Sequence, residues 1–317
     1  MPVPMVIPTT SEVAWTSVSP RRGSRSTELT GLVVPKTWSV PEDDVPGTIP
    51  AGVRHGYSRY AQVASYAAMS FKDHFSGLAA QYSAFRPTYP PVLFNYLAQL
   101  CRERQQAWDC ACGNGQATVS LARHFNAVIA TDASPQQLSA APPLGNVTYR
   151  VARAEASGID SGSVDLVTVA QALHWFDLDS FYGEARRVLV PAGVMAAWSY
   201  GVLHVEGAGI DALVQEFYRD IVGPYWPPER QIVEDGYRGL AFPFAEISAP
   251  SFNMEERWER AHLLGYLRSW SATGRYVEDR GVDPVVALEK RLEPVWADAG
   301  AVRQVTWPVA MRVGRKG

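Results

Sequence analysis

Cysteine is scarce in this chain: Cys101, Cys110 and Cys112 are the only three in 317 residues. Three cannot all pair, so a scaffold stapled by disulfides is excluded and a reducing compartment, the cytoplasm, is expected. Cys110 and Cys112 stand too close for the usual zinc pairs, and no second cysteine or histidine pair completes a tetrad, so no metal site is expected. Positive charge is not in excess either. Lys and Arg number 29 against 32 Asp and Glu, a net charge of −3, which argues against nucleic acid as a partner. No apolar run approaches the ~20 residues that cross a bilayer, so no membrane insertion is expected. What remains is an ordinary composition, long enough to bury a full α/β core with added elements. It leaves the oligomeric state open.

The informative stretch is Asp109-Cys110-Ala111-Cys112-Gly113-Asn114-Gly115-Gln116-Ala117. Ala107 and Trp108 read as the end of a buried strand, two glycines permit a tight turn, and 118–125 resumes with apolar residues at helical spacing. A second apolar run, 127–130, ends at Asp132, about 20 residues beyond the turn. This is the layout of a nucleoside-binding βαβ unit, with Asp132 placed to accept hydrogen bonds from both ribose hydroxyls. A dinucleotide fingerprint fits poorly, because its last small position falls on Thr118. An acid at Asp109, close to the turn, would repel a pyrophosphate and suit an ammonium.

The rest of the core obeys the same logic. Residues 146–152 alternate as a third strand and lead into Arg153-Ala154-Glu155. The run 164–170 reads as a buried fourth strand, with a ligand-facing loop, Gln171 to Phe176, at its carboxyl end. A helix closing at Arg186-Arg187 then turns at Gly193 into a fifth strand, 194–198. The acid-x-small-x-Gly-x-Gly pattern and this order resemble the class I S-adenosylmethionine-dependent methyltransferases over roughly 105–200. More narrowly, the chain resembles trans-aconitate methyltransferases and related small-molecule enzymes over roughly 71–314. That likeness is carried by Phe71-Lys72-Asp73-His74-Phe75, by Tyr82-Ser83-Ala84-Phe85-Arg86-Pro87 through Pro90, by the glycine turn, by Gln171-Ala172-Leu173-His174-Trp175-Phe176 and by Trp307-Pro308-Val309.

The resemblance implies a doubly wound, mostly parallel seven-stranded sheet with an inserted helical lid, and S-adenosyl-L-methionine as cofactor. It implies that Gly113, Asn114 and Gly115 line the methionine end, that Asp132 takes the ribose and that Ala154 and Glu155 flank the adenine. Gln171 also belongs to the implied cofactor site, and Tyr82, with Tyr89, would close over the methionine end or else pack in an N-terminal helix. Ala111 stands where the family has its first glycine. Alanine should weaken the fit at worst, unless that residue needs a positive φ.

Residues 1–68 differ from the rest of the chain. Prolines recur at 2, 4, 8, 20, 35, 41, 46 and 50 with little periodicity, the mark of a disordered tail or of an artefactual extension ahead of a start at Met69. A targeting peptide is the third reading, against which Glu12 and Glu28 count. The methyltransferase domain is expected over 69–317. Within it, 91–104 reads as an amphipathic helix, 201–280 as the lid insertion, 257–270 and 284–297 as helices and 302–313 as the last strands.

Methyl transfer from a sulfonium is an in-line displacement in which the protein mainly aligns the acceptor and excludes water. A carboxylate acceptor needs no base but needs cations. Arg86 is the first candidate, with Arg230 and Arg275 behind it. His174, just beyond the fourth strand, is a catalytic candidate as the base for a hydroxyl or carbon acid, or else a structural histidine. The expected activity is methylation of a small molecule, first at a carboxylate oxygen and second at carbon or oxygen of an apolar, quinone-like ring. An NAD-dependent oxidoreductase and a non-catalytic cofactor-binding protein are the alternatives outside that class, the latter suggested by Ala111.

Overall fold

The computed structural model describes residues 86–317. The expectations for 1–68, for 71–77 and for Tyr82 lie outside the described residues. A nine-segment sheet runs β3 (Val147–Val151), β2 (Ala127–Asp132), β1 (Gln106–Cys110), β4 (Val164–Ala170), β5 (Leu189–Tyr200) and β9 (Arg303–Arg315), then β6 (His204–Val205). β7 (Ala245–Ile247) and β8 (Phe252–Trp258) also pair with β9. The register resolves nine segments into seven strand positions. β6 takes up the β5 ladder along one edge of β9, with Tyr200 opposite Val309 and His204 opposite Thr306. β8 and β7 share the other edge, with Phe252 also opposite Val309 and Ile247 opposite Val313. The pairs joining β3, β2, β1, β4 and β5 are all parallel, and every pairing with β9 is antiparallel. This is the doubly wound, mostly parallel Rossmann-like sheet that the sequence leads one to expect.

The strands are buried because helices cover both faces, so their side chains alternate between two apolar layers. Ala107, Leu166, Val194, Ala196 and Trp198 join one layer, with Leu93, Phe94 and Leu97 of α1 (Pro91–Leu100). Trp108, Val167, Met195 and Ala197 join the other, with Phe181, Ala185 and Val188 of α4 (Leu178–Val188). α4 starts where the Asp177 side chain accepts the Ser180 N–H, 3.3 Å away, satisfying one of the free donors of its first turn. Two short helices, α2 (Gln116–Leu121) and α3 (Pro135–Ser139), follow β1 and β2. The order 3-2-1-4 makes the junction of β1 and β4 the switch point, and open α/β sheets bind ligands outside the carboxyl ends of the strands at such a point.

Several expectations need correction. The 201–280 insertion mixes helices, turns and strands. α5 (Ala208–Glu216), a wider turn over Phe217–Ile221, a tight turn over Gly223–Tyr225 and α6 (Arg230–Glu234) precede β7 and β8, while α7 (Arg260–Arg268), α8 (Ser271–Arg280) and α9 (Pro284–Leu292) follow them. Residues 257–258, expected in a helix, belong to β8, where Phe252, Met254 and Trp258 are buried in alternation. α1 stops at Leu100 because Cys101 is extended (ψ 138°). Gly193 is not a turn out of α4: β5 is continuous from Leu189, and the positive φ falls on Ala192 (60°). The last strand is a single span of 13 residues.

Candidate active site

The glycine turn between β1 and α2 is left-handed at every second residue: Ala111 (φ 54°), Gly113 (56°) and Gly115 (84°). Glycine adopts this geometry without a steric penalty, and alanine does not. Ala111 therefore meets the one condition under which its Cβ matters, since it keeps the shape of a glycine turn at a conformational cost. A Cβ at Gly115 would come within 3.1 Å of the Tyr149 hydroxyl, so that residue is glycine for space as well as for φ. The turn is pinned by Cys112 N–H to Thr131 O (2.9 Å) and by Gly113 N–H to the Asp132 carboxylate (2.8 Å). The other Asp132 oxygen accepts the Ser134 N–H at 2.8 Å. Asp132 thus stands at the carboxyl end of β2 with its carboxylate oriented by two backbone donors, beside the turn. Asn114 lies partly exposed at its apex.

Asp109 departs from expectation. Its residue type and place suit a ligand's ammonium, but it is fully buried, and its two oxygens accept the hydroxyls of Thr118 (2.5 Å) and Thr168 (3.0 Å). It is a strut that ties β1 to α2 and β4 beneath the turn, and its charge reaches a ligand only as a field. Burial, with Asp132 nearby as a second cause, outweighs the two hydroxyls and pushes its carboxyl up to about 6. Thr118, which spoils the dinucleotide pattern, and Thr168 are the partners that sequence reasoning misses. A polar residue at the buried start of α2 is the available signal.

Ala154 is buried in the loop after β3, and the partly buried Glu155 accepts the Asp177 N–H (3.3 Å) and pairs with Arg153 (3.3 Å). Gln171, left-handed at φ 58°, donates its amide to Tyr200 O (3.0 Å) and its N–H to Trp198 O (2.9 Å). Its side chain therefore fastens the end of β4 to β5. Gln116, at the start of α2, donates to Pro87 O, which holds the 86–90 segment against the end of the glycine turn. Tyr89 is packed into the core, edge-on to Trp198 at 5.6 Å.

Beyond the ends of β4 and β5 the surroundings turn aromatic. Arg86 donates to the Tyr200 hydroxyl (2.9 Å) and lies 5.7 Å over the Tyr266 ring. Tyr266 meets Trp270 at 5.7 Å, Trp270 meets Trp226 at 5.6 Å, and Arg230 lies 4.8 Å over Trp226. Two guanidiniums therefore stand at the ends of a run of three rings, of which Tyr266 and Trp270 are buried in the core and Trp226 is partly exposed. Arg230 also donates to the Tyr218 hydroxyl (2.7 Å) and pairs with Glu234 (3.2 Å), and Arg275 donates to Tyr225 O (3.0 Å). His174, in the single turn Leu173–Trp175, bonds through Nδ1 to the Tyr237 hydroxyl (3.1 Å). Burial first, and the Arg230 charge second, lower its imidazole to about 4. It is neutral at pH 7 and a weak base, since general bases work best with a pKa near the operating pH.

The methyltransferase-domain family matches residues 108–197. A Dictyostelium discoideum protein described as a methyltransferase is 33% identical over 252 residues, covering 78% of this chain and 96% of the relative. The chain belongs to the class I S-adenosylmethionine-dependent methyltransferases. A solved structure from Anaeromyxobacter dehalogenans, described as a type II methyltransferase, is 44% identical, covers 73% of this chain and 98% of its own, and superposes with a TM-score of 0.70. A Saccharomyces cerevisiae protein described as an S-adenosylmethionine-dependent methyltransferase is 25% identical over 246 residues, 66% of this chain and 84% of the relative. Membership removes the dehydrogenase and the non-catalytic readings. Among the described residues, no helix of this methyltransferase is long and apolar enough to cross a membrane.

Two predictions test the turn. Ala111→Gly should raise stability by about 1 kcal/mol, because relief of the left-handed strain exceeds the extra entropy that glycine loses. Thermal melts should show a Tm about 2–4 °C higher; an unchanged or lower Tm would remove the strain account. A buried carboxyl with a raised pKa contributes stability when protonated and loses it as pH rises from the ordinary value near 4 to about 6. Asp109→Asn should therefore gain stability relative to the parent as pH rises across that window. Parallel denaturant curves at pH 4.5 and 7 measure the difference.

Proposed function

We propose that this methyltransferase moves the methyl group of S-adenosyl-L-methionine to a carboxylate oxygen of a small molecule. The observation carrying the proposal is the pair Arg86 and Arg230 at the two ends of the Tyr266–Trp270–Trp226 run. Guanidinium forks hold carboxylates, and aromatic faces accept an unsaturated or apolar body. The resemblance to trans-aconitate methyltransferases points the same way. The weak basicity of His174 counts against the runner-up, a hydroxyl or ring acceptor that must surrender a proton.

For the donor, the fit rests on the turn and on Asp132. The left-handed backbone at Gly113 and Gly115 leaves room for close approach, and the Asp132 carboxylate, fixed by Gly113 and Ser134, is the acceptor group for the ribose hydroxyls. We assign the adenine to the side of Ala154 and Glu155, and the methionine end to Gly113, Asn114 and Gly115 under the 86–90 segment. Asp109 serves the same site from below as the strut of the turn. The catalytic unit in this proposal begins near Met69. In the reaction the carboxylate oxygen gains the methyl as the sulfur–methyl bond breaks. The anion and the sulfonium both become neutral, and no proton moves. Such charge cancellation is favoured where water is excluded.

Two measurements test this reading. Asp132→Ala should weaken S-adenosylhomocysteine binding at least tenfold by calorimetry with the protein still folded; unchanged affinity would move the ribose elsewhere. A screen of small carboxylic acids against matched alcohols and phenols should give a methylated product from the acids, released as methanol by mild base. Arg230→Met should raise the acceptor KM about 10- to 100-fold, the worth of one charge-assisted bond, and leave S-adenosylhomocysteine affinity unchanged. A base-stable methyl would overturn the carboxylate and promote the ring acceptor.

A further inference from the structure

Tyr237 is the most constrained side chain near the site. It is fully buried, and it is held at φ 62° directly after Gly236 at φ 61°. A Cβ on Gly236 would come 2.5 Å from that of Ala310, so no other residue fits this approach to β9. The Tyr237 N–H donates to Ile232 O (3.1 Å), and its own carbonyl accepts Arg312 Nη1 (3.1 Å). Left-handed backbone at a bulky residue is costly and persists where surrounding contacts over-determine it, often at functional sites. What this arrangement delivers is one hydroxyl, 3.1 Å from His174 Nδ1, with the two rings 6.0 Å apart and nearly parallel.

The protons at that contact can be assigned by counting. A phenol has one proton to donate, and burial makes an unpaired donor rare in native structures. Among the described residues, Nδ1 of His174 is the hydrogen-bond partner of this hydroxyl. Donation from the hydroxyl to Nδ1 satisfies both groups. The opposite arrangement, Nδ1–H donating to the phenol, would strand the phenol proton in the core. Nδ1 is then the acceptor nitrogen and Nε2 carries the ring proton. Burial and the Arg230 charge act in the same direction, against an imidazolium.

We propose that Tyr237 is a positioning residue for methyl transfer: its hydroxyl locks His174 as the neutral Nε2–H tautomer, so that His174 presents a hydrogen-bond donor, not a base, to an oxygen of the acceptor beside Arg230. The role of that donor rests on the carboxylate reading, whereas the tautomer lock does not. A carboxylate has lone pairs for both a guanidinium and an imidazole N–H, so one residue orients the oxygen that the other attracts.

The test separates the two. Nitrogen-15 spectra of histidine-labelled full-length protein, with His174 assigned from the signal missing in His174→Gln, should show an unprotonated Nδ1 and a protonated Nε2 throughout pH 6–8. In Tyr237→Phe that preference should relax toward a mixture. An Nδ1–H tautomer, an imidazolium at pH 7, or spectra unmoved in Tyr237→Phe would overturn the lock. With a methylated acid in hand, His174→Gln, whose amide places a donor near Nε2, should keep kcat/KM within about threefold, while His174→Ala loses about 30-fold. Equal losses in both, with a bell-shaped pH profile in the parent, would make His174 a base and overturn the donor role. If the acid screen fails while the spectra hold, the carboxylate reading alone falls.

Discussion

The buried contact of Asp109 with Thr118 and Thr168 is the constraint on which the site depends. Three elements, β1, α2 and β4, meet at one carboxylate. β1 and β4 are adjacent and parallel, and their junction is the switch point. A charge with no solvent is expensive, which is why the carboxyl is pushed up to about 6. The result is a turn that cannot drift relative to the strand beside it. Asp132 repeats the device one strand over, holding the far side of the same turn through Gly113. Between them the two carboxylates fix the turn's shape before any ligand arrives, so little ordering is left for binding to accomplish.

Backbone strain is distributed in keeping with that plan. Among the described residues, the non-glycine positions with positive φ are Ala111, Gln171, Ala192 and Tyr237. Three of the four bear on the site: one in the turn after β1, one at the end of β4 and one behind His174. At Gln171 the twist lets a single residue bond β5 through both its N–H and its amide. Left-handed residues of this size survive where neighbouring contacts leave no alternative. Here those neighbours are the packed carboxyl ends of the central strands.

What is legible in the sequence is what is local. The glycine turn, the acid after β2 and the apolar runs of β1, β2 and β4 are contiguous signals, and each depends on a few adjacent residues. The insertion is harder for a physical reason. In β8 the alternation Phe252, Met254, Trp258 is interrupted by Glu256 at a position that should face inward, and the Thr88 hydroxyl lies 3.2 Å from its carboxylate. That partner stands 168 residues away, so the strand's pattern makes sense only after folding. Asp109 misleads for the same reason: its residue type suits an ammonium, and only the arrival of Thr168 from β4 reveals it as a strut. The pairing of His174 with Tyr237 spans 63 residues and leaves no trace in either local sequence.

These features bear on how the methyl group would move. On the carboxylate reading the ground state holds an anion beside a sulfonium, and the transition state holds less of both charges. Arginines that grip the anion stabilise it before the reaction at least as well as during it, so their contribution is orientation and affinity, not a lower barrier. Acceleration must then come from alignment and from surroundings that solvate the separated charges poorly. On the same reading the Tyr266, Trp270 and Trp226 rings would supply such surroundings, and a neutral imidazole fits them better than a charged one would. Burial that weakens His174 as a base is on this account no defect: a site with no proton to remove gains from a histidine that cannot take one.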